Sequence, residues 1–140
     1  MDSTPKSGFR STTTLCRSET FEILLKLPGL NEYTGSNRLN RYAGASMKRK
    51  TEDSIKVFIM QALREGRISK HNKTCELHFL WIEKNNRRDG DNIAFATKFI
   101  QDSLVACGVF PNDNRKYICG LYHDFEVRDY YGVEVTIKEK

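Results

Sequence analysis

The chain has 140 residues, 39% of them hydrophobic and 29% charged, a composition that suits one compact domain with a core. No apolar run approaches the roughly 20 residues that span a bilayer, and the polar start of the chain lacks the apolar region of a secretory signal. The net charge of +5 gives a modest indication of a polyanionic partner. We therefore expect a soluble intracellular protein with no membrane partner, with a flexible N-terminal extension over residues 1–18 and one domain over residues 19–140.

The first half of the chain predicts one strand and one helix. Residues 20–28 alternate apolar and polar side chains, as expected of a half-buried strand. The inward residues of this strand are Phe21, Ile23, Leu25 and Leu27. A long polar loop is expected over residues 29–46, with Ser46 as the N-cap of a helix over residues 47–67. The apolar stripe of this helix consists of Ile55, Phe58, Ile59, Ala62 and Leu63. Gly66 suits its C-terminal end.

The second half of the chain predicts three strands and a second helix. Residues 74–84 form a strand with apolar side chains on both faces, which indicates a central position in its sheet. The helix is expected over residues 91–107. Its buried face consists of Ile93, Ala96, Ile100 and Leu104. Residues 116–129 and 131–139 are predicted as the two strands of a hairpin. The order β-α-β-α-β-β predicts a small α+β domain with a mixed sheet and two helices.

Paired carboxylates stand just before the second helix, in the segment RRDGDN. Asp89 and Asp91 point the same way if this segment is extended, and Gly90 permits a bend between them. Carboxylate oxygens suit Mg²⁺ or Mn²⁺, which can activate water and neutralise the charge that builds on a phosphate. Asp113 lies in the turn after the helix and would complete a three-carboxylate site if that turn folds back.

Lys98 follows Asp91 by seven residues, so two turns of a continuous helix would place both on nearly one face. From there Lys98 can reach a phosphate or a leaving oxyanion. The same residues also fit an ordinary structure: Asp91 or Asn92 can cap the helix, and Lys98 can pair with Asp102 one turn on. Spacing alone leaves both interpretations open.

The combination of RRDGDN, a helix that carries Lys98 and the residues D-S-L at 102–104, and GVFPND at 108–113 resembles the RusA family of Holliday junction resolvases. The resemblance extends over most of residues 20–139, including the order of elements. It implies a RusA-like fold and a homodimer in a bacterial or phage-infected cytoplasm. It also implies a metal-dependent endonuclease that cuts four-way DNA by paired symmetric nicks in recombination and repair, with Mg²⁺ or Mn²⁺ and no small-molecule cofactor.

The resemblance also assigns residues. Asp89, Asp91 and Asp113 match three essential metal-binding aspartates of the family. Lys98 matches the catalytic helix lysine only with three residues inserted, since Phe95 stands at the uninterrupted position. The residues expected to hold DNA are Arg38, Arg41, Lys48, Arg49, Lys50, Arg87, Arg88 and Asn92.

Two other functions fit the same residues. A basic module that binds branched DNA without cutting it would show steep salt dependence but no nicks with metal. A nuclease for flaps or replication forks would use the same site on a different DNA shape.

The cysteines and histidines form no zinc pattern, since no two cysteines are closely spaced. We interpret Cys75, Cys107 and Cys119 as small core residues, and His71, His78 and His123 as satisfied sheet or surface residues.

Overall fold

A computed structural model describes residues 17–140, in which four strands form one mixed sheet. The strands are β1 (Ser18–Ile23), β2 (Cys75–Glu83), β3 (Ile118–Val127) and β4 (Gly132–Glu139). They lie in the order β1-β4-β2-β3, with β4 antiparallel to both of its neighbours and β2 parallel to β3. The small α+β domain with a mixed sheet is therefore confirmed, as is the central position of β2. The expected flexible extension lies outside the described residues over 1–16, while Arg17 and Ser18 belong to the domain.

The helical part of the described chain differs from the sequence prediction. The helices are α1 (Leu30–Leu39), α2 (Arg41–Arg64), α3 (Gly90–Ala94) and α4 (Thr97–Ala106). The predicted order with two helices is not confirmed, because α1 is an additional helix and the second predicted helix is divided into α3 and α4. None of the helices in residues 17–140 is long and apolar enough to cross a membrane.

The polar stretch 29–46 is helical and not a loop. No residue of α1 is buried, so the hydrophobic periodicity that reveals a packed helix is missing. Local hydrogen bonds organise it instead: the Glu32 carboxylate accepts from the Gly29 amide at 3.0 Å. Asn40, and not Ser46, caps α2, since its side chain accepts from the Ala43 amide at 2.7 Å. The Glu32 bond is that of the third helical residue reaching back to the N-cap amide, as in a capping box, and the Asn40 bond is that of a short polar N-cap side chain.

The predicted helix 91–107 is interrupted at Phe95 and Ala96. Its buried face is correct, since Ile93, Ala96, Ile100 and Leu104 are all buried. The Thr97 hydroxyl donates to the Ala94 carbonyl at 2.6 Å, which occupies a carbonyl that a continuous helix would use. The interruption removes the basis for placing Asp91 and Lys98 two turns apart on one helix face.

The predicted hairpin is also wrong, because β2 lies between β3 and β4. The connection crosses the end of β2, where the Arg128 amide donates to the Glu83 carbonyl at 2.9 Å. An extended chain from Val127 to Gly132 reaches roughly 16 Å, more than the roughly 10 Å across two strand spacings. The connection is therefore long enough either to form a hairpin or to cross the end of β2. The structure shows the crossing, with β3 paired to β2 along the strand.

The core lies between the helices and one face of the sheet. The sheet residues on this face include Phe21, Ile23, Cys75, Leu77, Phe79, Trp81, Val133, Val135 and Ile137, all buried. Against them pack Ile55, Ile59 and Ala62 of α2 together with the buried face of α4. Cys75 is buried as expected, but Cys119 is exposed, because it lies on edge strand β3 beyond the cover of the helices.

Candidate active site

The paired aspartates lie at the start of α3, directly after the end of β2. Asp89 is the N-cap of α3 and has extended backbone angles, but its side chain makes no capping hydrogen bond. Asp91 is exposed, and its carboxylate accepts from the adjacent Asn92 amide at 2.9 Å. The Asn92 side chain accepts from the Asn31 amide at 3.0 Å, which joins α3 to α1. Asn92 therefore positions the segment, while both carboxylates remain accessible.

Arg88 anchors this segment to the end of β2. Its guanidinium donates to both oxygens of the buried Glu83 carboxylate, at 2.9 and 2.7 Å. It also donates to the Leu27 carbonyl at 3.0 Å and to Glu32 at 3.3 Å. The hydrogen bond to Glu83 is the main cause that raises the pKa of Arg88. Most of its donors are thus used inside the protein, whereas the neighbouring Arg87 is exposed.

A cleft of about 330 Å³ lies between the start of α3 and strand β3. Asp89 and Gly90 form one side and Phe125 the other, with Asn85 and Asn86 between them. A β-carbon at Gly90 would stand 3.1 Å from the Phe125 ring, so glycine allows this close approach. The volume is at the lower end of the range for small-ligand sites.

Lys98 and Asp113 lie together on α4 and the turn that follows it. The Lys98 ammonium donates to Asp113 at 2.6 Å and is 3.1 Å from Asp102. Asp102 also lies 3.7 Å from the Lys48 ammonium on α2. We call these four residues the Lys98 cluster.

Mutual pairing sets the charges in the Lys98 cluster. The hydrogen bond to Asp113 is the main cause that raises the pKa of Lys98, and the same bond chiefly lowers the pKa of Asp113. Both groups are therefore charged at neutral pH. The structure thus brings together two of the residues proposed from sequence, which stand 15 positions apart.

Glu52 is a neighbour of this cluster that sequence reasoning missed. It lies on α2, where burial raises the pKa of its carboxyl group and the charge of nearby Asp102 adds to the effect. One of its carboxylate oxygens is buried without a hydrogen-bond partner in the described chain. The approach of Glu52 to Asp102 depends on the packing of α2 against α4, across 50 residues of sequence, and no local pattern indicates it.

The three aspartates are not gathered into one ligand set. Within residues 17–140, no group of three or more His, Cys, Asp or Glu side chains is arranged to hold a metal ion. Asp113 is bound by Lys98, while Asp89 and Asp91 stand on α3. The paired aspartates and the Lys98 cluster are thus two neighbouring features, joined by the short connection from α3 to α4.

The other expected DNA-binding residues lie around the junction of α1 and α2. Arg38 is in the last turn of α1, Arg41 opens α2, and Lys48, Arg49 and Lys50 follow along it. All five are exposed. The segment 37–50 contains no acidic residue, so its positive charge is not offset within the segment. Lys48 connects this segment, which we call the basic corner, to the Lys98 cluster.

No protein-family model matches this chain, and no curated protein is significantly similar to it.

Proposed function

We propose that this protein is a metal-dependent endodeoxyribonuclease with a RusA-like fold, which resolves Holliday junctions by paired symmetric nicks. The observation that carries the proposal is the 2.6 Å contact between Lys98 and Asp113. These two residues come from separate parts of the motif that resembles the RusA family. Their contact supports the view that α4 and the GVFPND turn form one site.

Lys98 is the residue that we propose to stabilise negative charge on the phosphate. Its ammonium stays protonated because of Asp113 and Asp102, and it remains largely exposed to a ligand. A fixed positive charge beside a developing oxyanion lowers the free energy of the transition state. Asp102 and Asp113 hold the Lys98 side chain in position.

The Mg²⁺ or Mn²⁺ implied by the resemblance would take oxygen ligands from Asp89, Asp91 and Asp113. The described arrangement does not fit that ligand set, because Asp113 is paired with Lys98 and no three-ligand group is formed within residues 17–140. Asp89 and Asp91 are both exposed, and Asp89 lines the cleft, which supports a role of this pair in binding.

The basic corner is the surface that we propose to contact DNA. It carries five exposed cations and no acidic residue. Such contacts with phosphates give affinity and strong salt dependence with little choice of sequence, as expected for recognition of a branched shape. We also propose exposed Arg87 as a DNA contact, because it stands between the cleft residues Asn86 and Arg88 in the sequence. Arg88 holds the Glu83 carboxylate.

The test is a cleavage assay on a labelled four-way junction, beside duplex and flap controls, with Mg²⁺, Mn²⁺ or EDTA. We expect symmetric nicks on the junction that disappear in EDTA. Asp91→Asn should abolish cleavage and leave junction binding within about twofold. Asp53→Asn, an exposed aspartate on α2, is the matched control and should retain both. Full activity of Asp91→Asn would contradict the assignment of the site.

A second candidate is a protein that binds branched DNA without cutting it. The lack of a gathered three-ligand group in residues 17–140 favours this candidate. It predicts tight junction binding with no nicks in either metal. Nicks on the flap control alone would indicate instead a flap or fork nuclease that uses the same residues.

A further inference from the structure

Leu39 and Tyr42 are the most exposed large apolar side chains in residues 17–140, at 79% and 85%. Leu39 ends α1, and Tyr42 is the second residue of α2. Three residues of chain separate them, so their Cα atoms are at most about 11 Å apart. Burial of such side chains normally stabilises a fold. Their exposure as a pair at the tip of the basic corner therefore indicates a contact with another molecule.

The junction of the two helices has a backbone fixed by local contacts. Only Asn40 separates α1 from α2, and its side chain accepts from the Ala43 amide at 2.7 Å. Gly44 is buried, and a β-carbon there would overlap the side-chain oxygen of Asn37. Glycine thus allows the two helices to approach each other closely. None of these contacts uses the two apolar side chains, which remain available to a ligand.

The first turn of α1 is anchored in the domain. The Tyr33 ring packs on Phe95 and Phe99, with ring centroids 5.3 and 5.9 Å apart. Six residues of helix, about 9 Å along its axis, separate Tyr33 from Leu39. The corner is therefore a projection on a rigid support, and a rigid support reduces the conformational entropy that is lost on binding.

Positive charge surrounds the apolar pair. Arg38 and Arg41 are the sequence neighbours of Leu39 and Tyr42, and both are exposed. The basic corner has no acidic residue, so it attracts a polyanion. An anionic membrane would be attracted too, but two apolar side chains offer only a small area for insertion into lipid. Nucleic acid offers phosphates to the arginines and flat base faces to the ring, which matches both features of the corner.

We infer that Tyr42 and Leu39 pack on an exposed base face of DNA, with Arg38 and Arg41 on the flanking phosphates. The choice of DNA rests on the proposed function, which places DNA on the same corner. In a continuous duplex each base pair is covered by its neighbours, and unstacking them costs free energy. A branch point or a gap exposes base faces without that cost. Packing at the corner therefore makes binding selective for branched or interrupted DNA.

The two apolar side chains contribute differently. A tyrosine ring stacks on any base, because every base has a π face. Leucine has no ring and acts as an apolar wedge between neighbouring bases. Tyr42→Phe should therefore bind as the wild type does, whereas Tyr42→Ala loses the stacking contact.

The test measures the affinity of the full chain for a four-way junction and, by competition, for a covalently closed circular duplex, which has no ends. EDTA is present, so that no cleavage occurs. Tyr42→Ala should weaken junction binding about tenfold and duplex binding, which depends on phosphates, by less than about twofold. Val57→Ala removes another exposed apolar side chain of α2, and this control should change neither affinity. Circular dichroism melts check that every variant is folded.

A 2-aminopurine base at the branch point reports the contact directly. Its fluorescence should change when the wild type or Tyr42→Phe binds, and much less when Tyr42→Ala binds. The salt dependence of junction binding should be the same in Tyr42→Ala as in wild type, because no phosphate contact is removed.

Three results would overturn the inference. Unchanged binding of Tyr42→Ala to both DNAs would do so, and so would an equal loss on both, since stacking requires an exposed base face. Loss of binding to vesicles of anionic phospholipid in Tyr42→Ala, with DNA binding intact, would assign the corner to a membrane. The cleavage assay separates this inference from the proposed function. Junction binding that depends on Tyr42 but yields no nicks refutes only the nuclease, and junction cleavage with Tyr42-independent binding refutes only the base contact.

Discussion

Two ionic clusters in this protein use similar side chains but differ in burial. In the first, which we call the His71 cluster, both ring nitrogens of His71 lie within hydrogen-bonding distance of carboxylates, Glu19 at 2.7 Å and Glu139 at 2.8 Å. The His71 side chain is 0% exposed. The Lys98 ammonium also lies between two carboxylates, but that side chain is 62% exposed. Pairing is thus common to both clusters, and access to solvent separates them.

This difference indicates two roles. The His71 cluster joins the start of β1 to the end of β4, and Arg17 contacts both of its glutamates. Removing a partner there leaves a charge in a poorly solvated place, which is costly. Breaking an exposed pair costs little, because water replaces the lost partner. We therefore expect the His71 cluster to support the fold and the Lys98 cluster to be available for a ligand.

The largest effect is expected for His71→Ala. The substitution removes one hydrogen-bond partner from each of Glu19 and Glu139 and opens a cavity beside Phe110, whose ring stacks on His71. Removing a large buried side chain together with its hydrogen bonds typically costs about 3–5 kcal/mol. Urea unfolding at pH 7 should show a loss of this size. His78→Ala, on a partly exposed histidine, serves as the control and should cost about 1 kcal/mol or less.

Lys98→Ala is expected to change stability little and DNA cleavage strongly. The free energy of unfolding should change by less than about 1 kcal/mol, because the ion pairs are exposed. Cleavage of a four-way junction should fall about 10²–10³-fold if the ammonium stabilises an oxyanion. Lys56→Ala removes another paired lysine of comparable character and should leave cleavage unchanged. Normal cleavage by a folded Lys98→Ala protein would remove this residue from the site.

Apolar periodicity in the sequence predicts the buried faces of the packed elements correctly. It identifies the buried residues Phe21, Ile59 and Ile100, since apolar side chains that repeat at helical or strand spacing face the core. It misses α1 because no residue of that helix is buried. The hairpin prediction is wrong because the short connection between β3 and β4 does not show that β3 pairs with β2.

In the candidate site, too, some contacts are predictable from the sequence and others are not. The contact between Lys98 and Asp113 agrees with the expected motif, but the Arg88–Glu83 pair depends on burial at the end of β2, which the sequence does not reveal. Glu52 reaches Asp102 only through the packing of α2 on α4. Contacts that depend on helix packing across 50 residues have no local signature.

A smaller effect is expected for the pH dependence of the free energy of unfolding, which should come from the His71 cluster more than from the Lys98 cluster. Burial acts to raise the pKa of Glu19, but hydrogen bonds from Ser69, His71 and Arg17 outweigh it and lower the pKa to about 2. The folded pKa lies below the unfolded value, so Glu19 contributes its stabilisation above about pH 4.5. That contribution, of the order of 3 kcal/mol at most, is lost as the pH falls from about 4.5 to about 2.

Urea unfolding of wild type and Glu19→Gln between pH 7 and pH 3 tests this expectation. The variant should be less stable at pH 7, and the difference between the two proteins should narrow as the pH falls below about 4.5. Lys98→Ala should show no comparable narrowing. A difference between wild type and Glu19→Gln that stays constant with pH would mean that Glu19 is not held ionised by its partners.

The smallest effect is expected for Arg87→Ala. Arg87 is exposed, whereas the adjacent Arg88 is bound to buried Glu83. These two neighbouring arginines therefore differ in burial, as the Lys98 cluster and the His71 cluster do. Loss of one phosphate contact should reduce the salt dependence of junction binding by about one ion and leave the stability unchanged. Measuring junction affinity at several salt concentrations checks this, with exposed Arg64→Ala, at the end of α2, as the control. If the salt dependence of junction affinity is the same in Arg87→Ala as in wild type, Arg87 does not contact a phosphate, and the basic corner remains the proposed DNA contact.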